Sequence, residues 1–210
     1  MRVEVLLFEG VADMDALLPH DVFRKARSLG ADVESVLVTA DGATEVTGCY
    51  GTRLSGLVEW SPETTDVLVV GGGWIEKDLD GPIPRQLADA KQRGGGRLIL
   101  AGSDAGSLYL GAAGLIAGRP ATTHRPGHGL LATWTDEVID ARIVDDGDLI
   151  TSSSGWLAGI DLALYLLERE LGESRLAVEI ERWIGHDRRG TVWRRDRLDS
   201  PISTGAELNT

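Results

Sequence analysis

Hydrophobic and polar positions along the chain switch repeatedly between strand and helix spacing. Val3 to Phe8 is a short apolar run rich in Val and Leu, which predicts a strand. From Ala12 to Leu29 the apolar residues fall at Leu17, Leu18, Val22, Phe23, Ala26 and Leu29. This is one face of a helix, and Gly30 supplies its stop. Val33 to Thr39 predicts a second strand, and Gly51 to Glu59, broken by Gly and Ser, an edge β segment. DVLVV, Asp66 to Val70, is apolar throughout, as strands are when both faces of a parallel sheet are covered, and it runs into Gly71-Gly72-Gly73-Trp74. An amphipathic helix is predicted over Pro84 to Arg93, ended by Gly94 to Gly96. A second buried strand over Arg97 to Ala101 and a helix over Ser107 to Ala117 follow. Val138 to Val144 and Leu149 to Ser152 flank Asp145-Asp146-Gly147-Asp148 as strand, turn and strand. Gly159 to Leu171 and Leu176 to Ile184 predict the last helices. The tail, residues 191–210, has weak periodicity and is expected to be irregular.

Strands that alternate with helices make an α/β domain whose sheet is mostly parallel and sandwiched by helices. A length of 210 residues suits one core, so residues 1–190 are expected to form a single domain. Ligands of such sheets bind beyond the carboxyl ends of the strands. That brings together the loop after Phe8, Gly71–Trp74 and Ser103–Gly106. The last of these lies in RLILAGSDAGSLYL, a strand, a sharp turn and a helix. Many α/β enzymes hold a serine or cysteine nucleophile on such a turn, and here the turn holds Asp104.

Charge narrows the partners. A net charge of -12 argues against nucleic acid, which is bound by neutralising phosphates with Lys and Arg. The Arg-rich stretch from Arg188 to Arg197, interrupted by Asp187 and Asp196, reads as a solvated or interface patch. The single cysteine, Cys49, excludes an intrachain disulfide and fits a reducing cytoplasm. It falls in the expected edge segment, away from the elbow, and reads as structural. MRVEVLLFEG reads as neither a signal peptide nor a membrane span. The expected partner is a small molecule, with no membrane contact.

Four stretches, in order, resemble the DJ-1/PfpI superfamily, also called the ThiJ or class I glutamine-amidotransferase-like fold, and within it the isonitrile hydratase-like branch. They are MDALLPHDVFRKA (Met14–Ala26), DVLVVGGG (Asp66–Gly73), the elbow with AAGLIAGRPATTH (Ala112–His124), and ITSSSGWLAGIDLAL (Ile150–Leu164). The resemblance implies a flavodoxin-like fold and a homodimer. It also implies an elbow cysteine that is hydrogen-bonded by an acidic residue of the first loop, here Asp15. The His of the TTH motif, here His124, approaches the elbow, and the backbone N–H groups of Gly73 and Ala105 form an oxyanion hole. Where the family has its cysteine this chain has Asp104, and where the branch usually has Thr it has Ala105. Thiol-dependent family activities therefore do not carry over.

A carboxylate at the elbow leaves other chemistry open. If Asp15 lies close to Asp104, two like charges compete, one pKa rises, and the pair presents an acid and a base. That suits a hydro-lyase, hydratase, isomerase or cyclase acting on a small, largely apolar substrate. Two alternatives stand beside it: a binding or regulatory homologue that has lost catalysis, and a hydrolase with Asp104 as nucleophile. His124 otherwise reads as a histidine that only bonds a loop carbonyl. The substrate pocket is expected to include Gly72, Trp74, Trp156 and His20, although His20 also reads as a helix-start or interface residue and Trp156 as a core or dimer-interface residue. Trp60, Trp134, Trp183 and Trp193 read as packing residues. Asp15, Asp104, His124 and His20 match no metal-binding spacing motif, so neither metal nor cofactor is expected.

Overall fold

β1 (Arg2–Leu7) sets the frame: Val3, Val5 and Leu6 are wholly buried, so this strand is covered on both faces. The computed structural model describes residues 1–75, 78–94, 97–153, 155–188 and 190–195. On one side of β1 lies β2 (Glu34–Thr39), followed by the two-residue β5 (Val58–Glu59). On the other side are β6 (Val67–Val70), β7 (Ile99–Gly102), β9 (Leu149–Ser152), β8 (Ile143–Asp145) and β10 (Val192–Arg194), in that order. Every neighbouring pair is parallel except β8 with β9. A hairpin of β3 (Glu45–Thr47) and β4 (Arg53–Ser55) stands apart.

The helices cover this sheet in two groups. α1 (Asp13–Ser28), α5 (Ala158–Leu171) and α6 (Ser174–Ile184) pack on one another, and α2 (Pro82–Gly94) packs on α3 (Gly106–Ala112). α5 is apolar on nearly every side because α1 and α6 both lie against it, and Ile160 to Leu167 are all buried. A short α4 (His128–Leu131) follows a 3-10 turn over Arg125–Gly127. No helix among the described residues is long and apolar enough to cross a membrane.

The chain leaves β1 toward β2 in one direction and then builds β6, β7 and β9 in the other. The strand order thus reverses between β1 and β6. At such a reversal, sheets of this kind bind ligands beyond the carboxyl ends of their strands.

Several elements differ from the sequence expectation. The edge segment over 51–59 is two strands in two sheets, divided at Gly56, whose φ of +78° turns the chain. The helix after the elbow stops at Ala112, because the chain turns at Gly114 with φ +72°. Val138 makes only an isolated bridge to Ala121, and β8 begins at Ile143. The tail is not irregular throughout: Val192–Arg194 adds β10 beside β8, where Arg194 donates to the Tyr165 hydroxyl at 2.7 Å. Residues 196–210, with Arg197, lie outside the described residues. Arg188 pairs with Glu168 and Glu181, and Arg195 with Glu137, so these cations face carboxylates of the same chain. Trp60 is buried, whereas Trp183 is not a packing residue: it is 58% exposed, with the Lys25 ammonium over its ring.

Candidate active site

Asp104 caps β7 in a backbone conformation that L-residues rarely adopt. Its φ is +51°, the only positive φ among described residues other than glycine. Left-handed backbone costs about 1–2 kcal/mol, least for Asp and Asn, and persists where neighbours over-determine it. The constraints here are specific. The Ser103 N–H donates to Val70 O at 2.9 Å and the Gly106 N–H to Ser103 O at 2.8 Å. The Thr123 hydroxyl donates to the Asp104 carbonyl at 2.7 Å, and the Gly155 N–H donates to Asp104 Oδ1 at 3.0 Å. A methyl group on Gly106 would stand 2.0 Å from Val70 O, so only glycine lets α3 begin this close to β6. The carboxyl-bearing residue is almost covered, at 8% exposure.

Asp15 comes to the same place from the first turn of α1 and is wholly buried. Its Oδ2 accepts the Gly72 N–H at 3.0 Å, while Oδ1 has no hydrogen-bond partner. Burial, reinforced by the negative charge of Asp104, pushes its carboxyl up to about 8, against the smaller opposing pull of the Gly72 amide. Asp15 therefore keeps its proton through neutral pH. Gly72 is wedged between the two acidic segments: a methyl group there would lie 2.5 Å from Asp15 Oδ2 and 3.0 Å from the Ala105 nitrogen. Gly73, at φ +151°, runs against Gly10 and Val11. Among the described residues neither the Gly73 nor the Ala105 N–H donates to a protein acceptor.

The remaining sequence candidates divide. His124 is half-buried, and its Nδ1 lies 3.3 Å from the Thr123 hydroxyl, not on either carboxylate. Because Thr123 gives its proton to Asp104 O, the imidazole bears on the elbow only through Thr123. His128 braces the same loop, its Nε2–H donating to Thr123 O at 3.0 Å. His20 is not part of this site. Its Nδ1 lies 2.9 Å from Ser35 Oγ near the amino end of β2, and it lines a separate cavity of about 410 Å³ with Arg24, Arg27 and Glu34. Helical rise carries His20 more than a turn down α1 from Asp15, toward the other end of the strands.

Cys49, by contrast, lies next to the site and not away from it. It is 8% exposed, and its N–H donates to Val11 O at 2.9 Å. Burial raises its thiol pKa, and the nearby carboxylates of Asp13 and Asp15 raise it further, so the thiol stays protonated. The next residue, Tyr50, was missed by sequence reasoning, as were Thr123 and Gly155. Tyr50 stands edge-to-face with Trp74 at 6.4 Å and with Trp156 at 6.0 Å. The one sequence signal for it is the pair of glycines, Gly48 and Gly51, that pinch Cys49-Tyr50 into a tight turn.

Comparison with known proteins agrees on the fold. The DJ-1/PfpI family matches residues 1–169. The chain is 34% identical to isonitrile hydratase of Pseudomonas putida over 180 residues, covering 82% of this chain and 73% of that protein. Drosophila melanogaster DJ-1beta superposes with a TM-score of 0.76 at 21% identity, covering 89% and 98% of the two chains. A ThiJ/PfpI family protein from Pseudomonas syringae superposes at 0.74 with 25% identity, covering 98% of this chain and 78% of that one. With a matched span that runs from β1 into α5, and with the elbow and glycine loop inside it, the chain belongs to the DJ-1/PfpI family.

Proposed function

We propose that this chain is a cysteine-independent enzyme that uses Asp15 and Asp104 as an acid–base pair on a small, largely apolar organic substrate. The observation that carries this reading is Asp15: wholly buried, held protonated up to about 8, and with Oδ1 unpartnered. A neutral carboxyl with a spare oxygen beside a second carboxylate is equipped to give a proton while its neighbour takes one. The Gly73 and Ala105 N–H groups, which have no protein acceptor among the described residues, supply donors for negative charge that develops on the substrate. The elbow is aspartate and the one thiol is held protonated, so the chemistry runs through oxygen and not sulfur. The similarity to a protein named isonitrile hydratase supports addition of water as the reaction class, with lyase, isomerase or cyclase chemistry open to the same pair.

In that reading Asp104 activates water or withdraws a proton, Asp15 protonates the substrate atom that becomes basic, and the two backbone amides hold the charge between. A panel of alkyl and aryl isonitriles, followed by loss of the isonitrile infrared stretch, is the first assay. Asp104→Asn should abolish turnover and leave ligand affinity within about twofold, because the amide keeps the side-chain shape but cannot take the proton. Turnover that survives in both Asp104→Asn and Asp15→Asn refutes the pair.

The strained backbone of Asp104 favours one second reading, a hydrolase in which this carboxylate attacks the substrate. Single turnover in ¹⁸O-labelled water separates the two: label in the Asp104 carboxyl marks attack, and its absence marks acid–base chemistry.

A further inference from the structure

Three exposed aromatic side chains meet at this site, each from a segment already tied to it. Trp74 follows Gly73, and its N–H donates to Gly10 O at 3.1 Å. Trp156 follows Gly155, whose N–H holds Asp104. Tyr50 follows Cys49, whose thiol lies in the field of Asp13 and Asp15. Tyr50 packs against both indoles, inclined at 70° to Trp74 and 71° to Trp156. Tyr50 and Trp74 are each 69% exposed and Trp156 47%. Single exposed apolar residues need no explanation, but large rings from three loops that converge on one point do.

Charge at this point is one-sided. Asp13 and Asp104 supply carboxylates here beside the protonated Asp15, and among the described residues no Lys or Arg pairs with any of the three. Buried Oδ1 atoms of both Asp13 and Asp15 have no hydrogen-bond partner. An anionic ligand would meet repulsion here, and a cationic head on a largely apolar ligand would answer the carboxylate charge. A ligand drawn both to aromatic faces and to carboxylates is an organic cation.

We propose that the site takes a small organic cation, an alkyl- or arylammonium, whose charged head sits among Tyr50, Trp74 and Trp156 beside the Asp15–Asp104 pair. This deepens the acid–base reading of the same site by naming its substrate class, and it rests on that reading. Choline and 3,3-dimethylbutan-1-ol, its neutral isostere with carbon in place of nitrogen, are the probes. Tryptophan fluorescence of the full chain reads their binding without turnover. Choline should quench saturably and bind about tenfold tighter than the alcohol. Trp156→Leu and Tyr50→Leu should each remove that preference, with circular dichroism unchanged because both side chains are exposed.

Equal binding of the two probes, binding of neither, or a preference that both Leu variants retain overturns the proposal. Binding of neither, with a dimer that Trp74→Asp dissociates in sedimentation, assigns the aromatics to a second copy of the chain and overturns it too. Loss of turnover in Asp104→Asn without any choline preference removes this inference and leaves the acid–base reading. A choline preference with turnover surviving in both Asn variants supports the cation site and removes the acid–base reading.

Discussion

Replacing Asp15 with asparagine should shift stability increasingly toward the variant as pH rises. The folded chain holds the Asp15 carboxyl up to about 8, whereas its ordinary value is 3.8. Between those values the folded state keeps a proton that the unfolded state releases. Parental stability is therefore fullest below about pH 4 and falls as pH rises toward about 8, by about 1.4 kcal/mol per unit. The whole interval corresponds to on the order of 6 kcal/mol, a large fraction of the stability of an ordinary domain. The side-chain amide of Asp15→Asn can still accept the Gly72 N–H and has no proton to lose in this range. It places an amide nitrogen where Oδ1 has no partner, a pH-independent cost of about 1–3 kcal/mol. The slope is thus the informative quantity. Urea denaturation of parent and variant at pH 5 and 7, at fixed ionic strength, should show the difference in unfolding free energy shifting toward the variant by about 3 kcal/mol. A difference independent of pH refutes the buried, proton-holding Asp15 and removes the acid from the proposed pair.

Gly72→Ala should lower stability by about 2 kcal/mol in urea denaturation, because the added methyl meets Asp15 Oδ2 at 2.5 Å and Ala105 at 3.0 Å. Asp104→Gly should be about 1 kcal/mol more stable than Asp104→Ala: both lose the Gly155 bond, but only the alanine variant keeps the strain at φ +51°. A stability order reversed from this would mean that the elbow relaxes. Cys49→Ser should keep kcat within about twofold, and iodoacetamide at pH 8 should label Cys49 far more slowly than a free thiol until urea is added, since burial and Asp13 hold the thiol protonated. Rapid labelling of the folded protein, followed by mass spectrometry, would contradict this.

What could be read from the sequence was what is local. DVLVVGGG and LILAGSDAGS each carry a buried strand and its turn within about ten residues, so β6, β7, the glycine loop and the elbow were all visible. The long helices were visible through their periodicity, to within a few residues at each end. β3, β4 and β5 are two or three residues long, too short for any period to show, and their pairing is decided by partners elsewhere in the chain. β10 depends on β8, nearly fifty residues away, and on the Arg194–Tyr165 bond. The same non-locality hid Cys49 and Tyr50. Cys49 reaches Asp13 and Asp15 through its bond to Val11, a tertiary contact that no pattern around residue 49 encodes. His20 failed for the converse reason, since it is near Asp15 in sequence but lies further down the helix.

The fold alone gives no reason for two acids here, which supports the proposed chemistry of the Asp15–Asp104 pair. Asp15 makes one hydrogen bond, with Gly72, and an asparagine would make the same bond without a titrating proton in the stability range. Asp104 makes one side-chain bond, with Gly155, in a conformation where glycine would relieve strain. The other buried carboxylates among the described residues are answered by cations: Glu4 by Arg2, Asp161 by Arg142 and His186, Asp145 by Arg169 and Arg194. Where the strand order reverses, between β1 and β6, that rule stops, among the described residues, for both acids at once. Strain and uncompensated burial that coincide where the strand order reverses support the proposal that these acids are kept for a ligand and not for folding.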